Sequence, residues 1–197
     1  MKPILLIVKF VLLVALGIIL GLPLYAIPAT LSLPRGPRPA IKALTISQAA
    51  QSLRQTGKTG WSLVEAARAL VAARMQYCRR NSFDIAAIAF ERGYGYCQQQ
   101  SYALVELLTQ LGVDAKVVGA FRNQLPSGSV GGHAWVSVTV DGESRDIDTL
   151  HYDAEAGGIT FTPLTEVFDY TPASRVVFGW GSAAVNAHRY YVTGKGR

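Results

Sequence analysis

Three side chains in this 197-residue chain have the types and spacing for acyl-transfer chemistry: Cys97, His133 and Asp148. A thiol attacks a carbonyl as its thiolate, so it needs a base or a positive field beside it. Cys97 closes Gly93-Tyr94-Gly95-Tyr96-Cys97 and opens a run of helix formers. The first turn of a helix offers unpaired N–H groups and the positive end of its dipole, which favour a thiolate. The same N–H groups can hold an oxyanion, and that of Cys97 itself is the natural donor. No second donor is identifiable. Gln98, Gln99 and Gln100 read as polar residues of the helix surface. A cysteine taken at random is more often a small buried residue than a nucleophile, so the case depends on what faces Cys97.

The facing group comes from a hairpin. Asp141-Gly142 is a preferred two-residue turn between alternating strands. In its register Val140 faces Glu143, Val138 faces Arg145, Val136 faces Ile147 and Trp135 faces Asp148. Side chains alternate, so His133, Trp135 and Ser137 share a face with Asp146 and Asp148. His133 then lies diagonally from Asp148, about 7–8 Å between backbones and within side-chain reach. Asp146 is farther along and is the reserve partner. Ala134, Val136, Val138 and Ile147 form the opposite, apolar face and belong against a core. A carboxylate on one imidazole nitrogen fixes the tautomer and leaves the other nitrogen for a thiol.

These residues sit in longer patterns that resemble the transglutaminase-like superfamily. Gly95-Tyr96-Cys97, continuing through Leu107-Leu108-Thr109-Gln110-Leu111-Gly112-Val113-Asp114-Ala115-Lys116-Val117-Val118-Gly119, is similar to that family's cysteine motif. His133-Ala134-Trp135-Val136 and Asp148-Thr149 resemble its histidine and aspartate motifs, in order, and the likeness covers about Leu63 to Thr149. The resemblance implies a papain-like fold and a triad in which Cys97 is nucleophile, His133 base and acid, and Asp148 the orienting carboxylate. Lys116 stands where the family often has arginine, and Leu150 follows Asp148-Thr149 where proline often directly follows the aspartate. The pattern of a calcium site is not present.

The positioning elements follow from periodicity. A short helix is expected over Ile46–Leu53. A longer one begins at Leu63 with Leu63, Ala67, Leu70, Val71 and Met75 as its apolar stripe. Ser82–Phe90 reads as a short helix, with Cys78 a structural thiol ending the one before it. Cys97–Leu111 buries Leu104, Leu107, Leu108 and Leu111, with Gly112 as C-terminal cap. Strands are expected at Ala115–Phe121, His133–Val140 and Glu143–Thr149. The final third, Ile159 to Val192, rich in Val, Phe and Tyr, reads as further strands. Helices first and strands after give an α+β domain, with the nucleophile helix packed on an antiparallel sheet. Tyr94, Tyr96 and Trp135 are candidates to line a cleft or to pack in the core.

Half the residues are hydrophobic and 16% are charged, which argues against a disordered chain. The net charge of +6 is diffuse, without a basic stripe interleaved with aromatics, so nucleic acid is not an expected partner. Two cysteines permit one disulfide at most. Neither a Cys-x-x-Cys pair nor a His-Glu-x-x-His helix occurs, so no metal or other cofactor is expected. His151 and His188 read as surface or packing residues.

The apolar run Phe10–Ala29, extended upstream by Ile4–Val8, is long enough to cross a bilayer core of about 30 Å. Pro23 and Pro28 suggest that regular helix ends near Leu22. A signal peptide would share the composition, but Leu24-Tyr25-Ala26 and Ile27-Pro28-Ala29 lack the small residue three positions before cleavage. The expected organisation is a single-pass anchor over residues 1–30, a stiff Pro-rich linker over 31–42 and a transglutaminase-like domain over 43–197. That domain is expected outside the cytoplasm. Flanking positives at Lys2, Lys9, Arg35, Arg38 and Lys42 do not settle the orientation. The expected function is a thiol hydrolase or acyltransferase acting on peptide-like amides. The alternative is a non-catalytic module binding peptide or cell-envelope polymer in the same cleft.

Overall fold

The computed structural model describes residues 2–33 and 45–195; the linker expected over 31–42 therefore lies mostly outside the described residues. The chain runs α1 (Lys2–Leu31), α2 (Ile46–Arg54), α3 (Gly60–Arg74), β1 (Gln76–Tyr77), α4 (Ala86–Arg92), β2 (Tyr94–Gly95) and α5 (Cys97–Gln110). It continues through β3 (Asp114–Gln124), β4 (Val130–Val140), β5 (Glu143–Ile147), β6 (Tyr152–Asp153), β7 (Gly158–Ile159), β8 (Thr162–Pro163), β9 (Phe168–Asp169) and α6 (Pro172–Thr193). The architecture is α+β, as expected. The main sheet is antiparallel in the order β5-β4-β3-β8, with β9 also pairing with β3.

The core lies between α5 and the sheet. Leu104, Leu107 and Leu108 of α5 meet Val136, Val138 and Ile147 of the β4–β5 hairpin, while α2, α3 and α4 close the other side. Thr45 starts α2 with a reciprocal cap: its hydroxyl accepts from the N–H of Gln48, whose side chain accepts from the N–H of Thr45. The hairpin has the expected register, and Asp141 and Gly142 both take positive φ, as a two-residue turn of this hand requires.

Three expectations are corrected. The stretch read as strands up to Val192 contains only short strands, and from Pro172 it is a 22-residue helix. Thr171 and Ser174 cap each other and Pro172 occupies the first turn, so the local start signal overrides the β-branched composition. Nor does α1 stop near Leu22. It continues through Pro23 and Pro28 to Leu31, where Ala26, Ala29 and Leu33 are buried. Ala26 and Ala29 pack on Ala183 and Ala187 of α6. This close packing offsets the hydrogen bonds that the prolines forgo. Finally, Cys78 does not end a helix: α3 stops at Arg74, and Cys78 follows β1, with its N–H on Gly95 O at 3.0 Å.

Arg74 links the helical layer to the approach to Cys97. It is fully buried and donates to the Phe90 and Glu91 carbonyls at 3.0 and 2.7 Å at the C-terminal end of α4, where Phe90 O also accepts from the Gly93 N–H at 3.1 Å. Arg74→Met keeps most of the volume and removes both charge-assisted bonds. It should cost about 3 kcal/mol in urea unfolding; a loss below about 1 kcal/mol would show that the Gly93 N–H and solvent suffice for those carbonyls.

Candidate active site

Cys97 is the first residue of α5, is 5% exposed, and forms a cluster with Val117 and Ala134, against which Tyr96, Leu150 and Tyr170 pack. Tight backbone at Gly95 brings it there. A Cβ on Gly95 would sit 3.2 Å from the Gln99 Cβ and 2.5 Å from the Met75 Cε, so a side chain there would have to displace the buried end of Met75 and press on Gln99. The two cysteines are not joined in a disulfide.

His133 reaches the site from the middle of β4. On the neighbouring strand the pairing slips between Ala120 and Asn123, where Phe121 and Arg122 oppose the single residue Gly132. The Asn123 side chain holds this bulge by donating to Ala120 O and Gly131 O at 2.9 and 3.2 Å. Such a bulge twists the strand pair and re-aims the side chains beside it. The imidazole Nε2 lies 2.8 Å from Asp148 Oδ2, which leaves Nδ1 for Cys97. Burial by itself opposes a charged imidazole. Hydrogen bonds to Asp148 and to Cys97, with the charges of both, more than reverse this and push the His133 pKa up to about 10.

Asp148 lies just past β5 rather than within it, and the Trp135–Asp148 pairing does not form; the ladder ends at Val136–Ile147. Its carboxylate accepts from the N–H groups of Thr149 and His151 at 2.8 and 3.0 Å. Asp146 instead pairs across from Ser137, and burial raises its pKa. The carboxylate at His133 is thus Asp148.

Several neighbours had no sequence signal. Gln98, Gln99 and Gln100 are buried, not surface residues. Gln100 donates to Gly95 O at 3.1 Å and accepts from the Thr149 hydroxyl at 2.9 Å, tying the cysteine turn to the aspartate turn. Gln99 donates to Ser82 O at 2.6 Å, and Gln98 to the Tyr170 hydroxyl at 3.0 Å. Ser101 donates to Ala134 O at 3.0 Å and so fixes α5 beside His133. Phe161 meets the His133 ring edge-to-face with centroids 4.9 Å apart, Trp135 stacks on it at 6.3 Å, and His151 stands at 5.4 Å. His151 therefore packs beside the His133 ring; burial first, and then the positive His133, lower its pKa against the opposing pull of Asp148. Tyr96 is pushed upward by the Cys97 charge and by burial. Its ring lies 5.8 Å from that of Tyr77, which is hydrogen-bonded to Arg79.

A cleft of about 170 Å³ reaches Cys97 and His133, between Tyr96 and Phe121 on the domain and Phe178 and Ser182 on α6. A larger one of about 700 Å³ begins at Gln98 and runs between Phe83, Tyr102 and Trp180. One wall of each is α6.

The family model described as the transglutaminase-like superfamily matches residues 47–146 of the 197, which includes Cys97 and His133 and stops two residues short of Asp148. None of the curated proteins matches the chain. Among solved structures it is similar to a "putative cysteine protease" from Cytophaga hutchinsonii, at 14% identity and a TM-score of 0.44. That match covers 64% of this chain and 49% of the other. It is also similar to a "TGase", at 21% identity and 0.44, covering 54% of this chain and 31% of the other. The chain thus spans about half or less of the length of these structures.

The His133–Asp148 geometry sets a pH window. The folded pKa of His133 lies above the ordinary imidazole value of about 6.5. Its stabilisation is therefore complete below pH 6.5 and is lost as pH rises through about 10. The imidazole resonances should titrate near pH 10 by NMR, with the midpoint falling well below this in Asp148→Asn. A wild-type midpoint near 6.5 would contradict this account of the pair.

Proposed function

The chain belongs to the transglutaminase-like superfamily, and from that premise we propose that it is a membrane-anchored thiol enzyme that cleaves peptide-like amides through Cys97, His133 and Asp148. The observation that carries this reading is the buried His133–Asp148 pair at 2.8 Å, with the second imidazole nitrogen left for a cysteine at the head of a helix.

In this mechanism the Cys97 sulfur attacks the amide carbon. The carbonyl oxygen takes up the charge beside the N–H of Cys97, at the positive end of α5. His133, protonated at Nδ1, gives that proton to the departing amine as the C–N bond breaks, leaving a thioester on Cys97. A water molecule then gives a proton to Nδ1 while its oxygen attacks the thioester. The tetrahedral adduct expels the sulfur and releases a carboxylic acid. Asp148 orients the ring through its bond to Nε2. Hydrolysis is favoured over transfer to an amine because transfer requires that water be kept from the thioester. The cleft at Cys97 and His133, about 170 Å³, is open on one side, so water has access to the thioester.

The anchor in this reading is α1, whose segment Ile7–Leu31 is long and apolar enough to cross a membrane, a property that a signal sequence shares. Retention is supported by Ala26 and Ala29, which are 2% and 1% exposed against α6 rather than available to a peptidase. The catalytic domain is assigned to the extracytoplasmic side, with peptides or proteins as substrates.

Alkylation by iodoacetamide tests the reading on full-length protein carrying Cys78→Ala. Labelling of Cys97 should be fast at pH 6 and fall at least about tenfold in His133→Ala, the signature of a thiolate–imidazolium pair. Labelling that rises only near pH 8.5 and ignores His133→Ala would reject the enzyme.

A further inference from the structure

The outer face of α6 is apolar and uncharged although it faces outward. Val177, Val185 and Val192 are 66%, 63% and 68% exposed, and Gly181, Ala184, His188 and Tyr191 fall between them at helical spacing. A helix face turned to water is normally polar, and an extended apolar one marks a partner. The helix has no acidic residue. Of its two arginines, Arg175 turns away and lies over the Tyr102 ring at 3.9 Å, while Arg189 stands at the rim of the apolar face.

What covers this face is indicated by α1. Among the described side chains of α1, the large apolar ones from Ile7 to Leu20 are exposed, and so is Leu24, at 70%. At the next residue the helix meets α6: the Tyr25 hydroxyl lies 3.0 Å from His188 Nδ1, and the Tyr191 hydroxyl donates to Tyr25 O at 3.0 Å. The uncovered surface of a helix able to span a bilayer thus continues onto His188 and Tyr191, within the outer face of α6. Tyrosines at that junction suit the head-group level, where an apolar ring and a polar tip are both accommodated. Arg175, Asn186 and Arg189 make α6 too polar to cross the bilayer. A helix with one apolar face, and a cation such as Arg189 at its rim, lies in the interface instead.

We propose that the outer face of α6, through Val177, Val185 and Val192, lies in the head-group region of the bilayer that α1 enters. Phe178 and Ser182 on the same helix wall the cleft of Cys97 and His133, so this cleft opens beside the membrane surface. On the reading of Cys97 as nucleophile, the substrate is an amide held at that surface. The lipid contact itself does not depend on that reading.

Spin labels test the contact in full-length protein with Cys78→Ala and Cys97→Ser, reconstituted in phosphatidylcholine vesicles containing one quarter phosphatidylglycerol. Labels on Val177→Cys, Val185→Cys and Val192→Cys should be more accessible to oxygen than to a water-soluble nickel chelate. Leu13→Cys marks the bilayer interior and Glu155→Cys, on an exposed turn, marks water. Nickel accessibility equal to that of Glu155→Cys at all three sites would overturn the proposal. So would shielding from both reagents with spin–spin coupling, which would mean that a second copy covers the face. A maleimide borne on a lipid head group reads the cleft. Its rate at Cys97, divided by that of soluble maleimide, should exceed the same ratio at Glu155→Cys by at least tenfold. Equal ratios would place the cleft away from the membrane. Neither readout requires turnover, so inactivity toward amides would remove the enzyme reading and leave the lipid contact to stand or fall separately.

Discussion

The carboxylate of Asp148 is the constraint around which the site is arranged. It is 1% exposed, and a carboxylate buried without partners would cost several kcal/mol. Its three donors are the His133 ring and the N–H groups of Thr149 and His151. Two of these are backbone groups, so the chain must turn immediately after Ile147, which is where β5 ends. The third must come from the adjacent strand with Nε2 toward the acid. One buried charge therefore determines the end of a strand, the conformation of the turn after it and the orientation of the imidazole. Removing Asp148 leaves the buried His133 cation without its partner, and a broken buried pair of this kind typically costs about 3–5 kcal/mol; removing His133 leaves Asp148 with only its two backbone donors.

Polar contacts transmit this constraint to the cysteine. Leucine packing holds α5 on the sheet without strong direction, because apolar burial depends on area more than on angle. Direction comes from Gln100, bonded to both Gly95 O and the Thr149 hydroxyl, and from Ser101, bonded to Ala134 O. The first sets the start of α5 against the aspartate turn and the second sets it against the strand of His133. Fully partnered buried groups of this kind specify one arrangement where apolar groups would tolerate several.

This division explains what could be read from the sequence. The hairpin was legible because a period of two and an Asp-Gly turn are local signals, and together they give register. The leucine face of α5 was legible for the same reason. The roles of Gln98, Gln99 and Gln100 were not, because three successive glutamines look like a solvated face until the carbonyls and hydroxyls they meet are known. Phe161 and His151 were likewise silent, since each approaches His133 only through the path of the chain after Asp148. The strand reading of the last third failed differently. Val176, Val177, Val185, Tyr190 and Tyr191 have strand-forming side chains, and the competing helix signal was confined to Thr171, Pro172 and Ser174. The surface that rewards helix there, Ala183 and Ala187 against Ala26 and Ala29, involves residues more than a hundred and fifty positions apart.

That long-range contact changes what the N-terminal segment means. Neither α1 nor α6 falls within the family segment at 47–146, yet α6 supplies Phe178 and Ser182 to the cleft at Cys97. The position of α6 rests in turn on alanine-to-alanine packing with α1, and on Asn186, which donates to the Ser82 hydroxyl at 3.1 Å. Small residues let two helices approach closely, and that closeness is lost if either is removed or enlarged. A role for α1 limited to tethering or targeting would leave its last turns unattached to the domain. Instead they bury Ala26, Ala29 and Leu33, and Thr30 donates to Arg80 O at 3.1 Å beside the loop that Gln99 and Asn186 hold. The N-terminal helix is thus a structural neighbour of the cleft wall, and cutting it away would expose the side of α6 that keeps that wall in place.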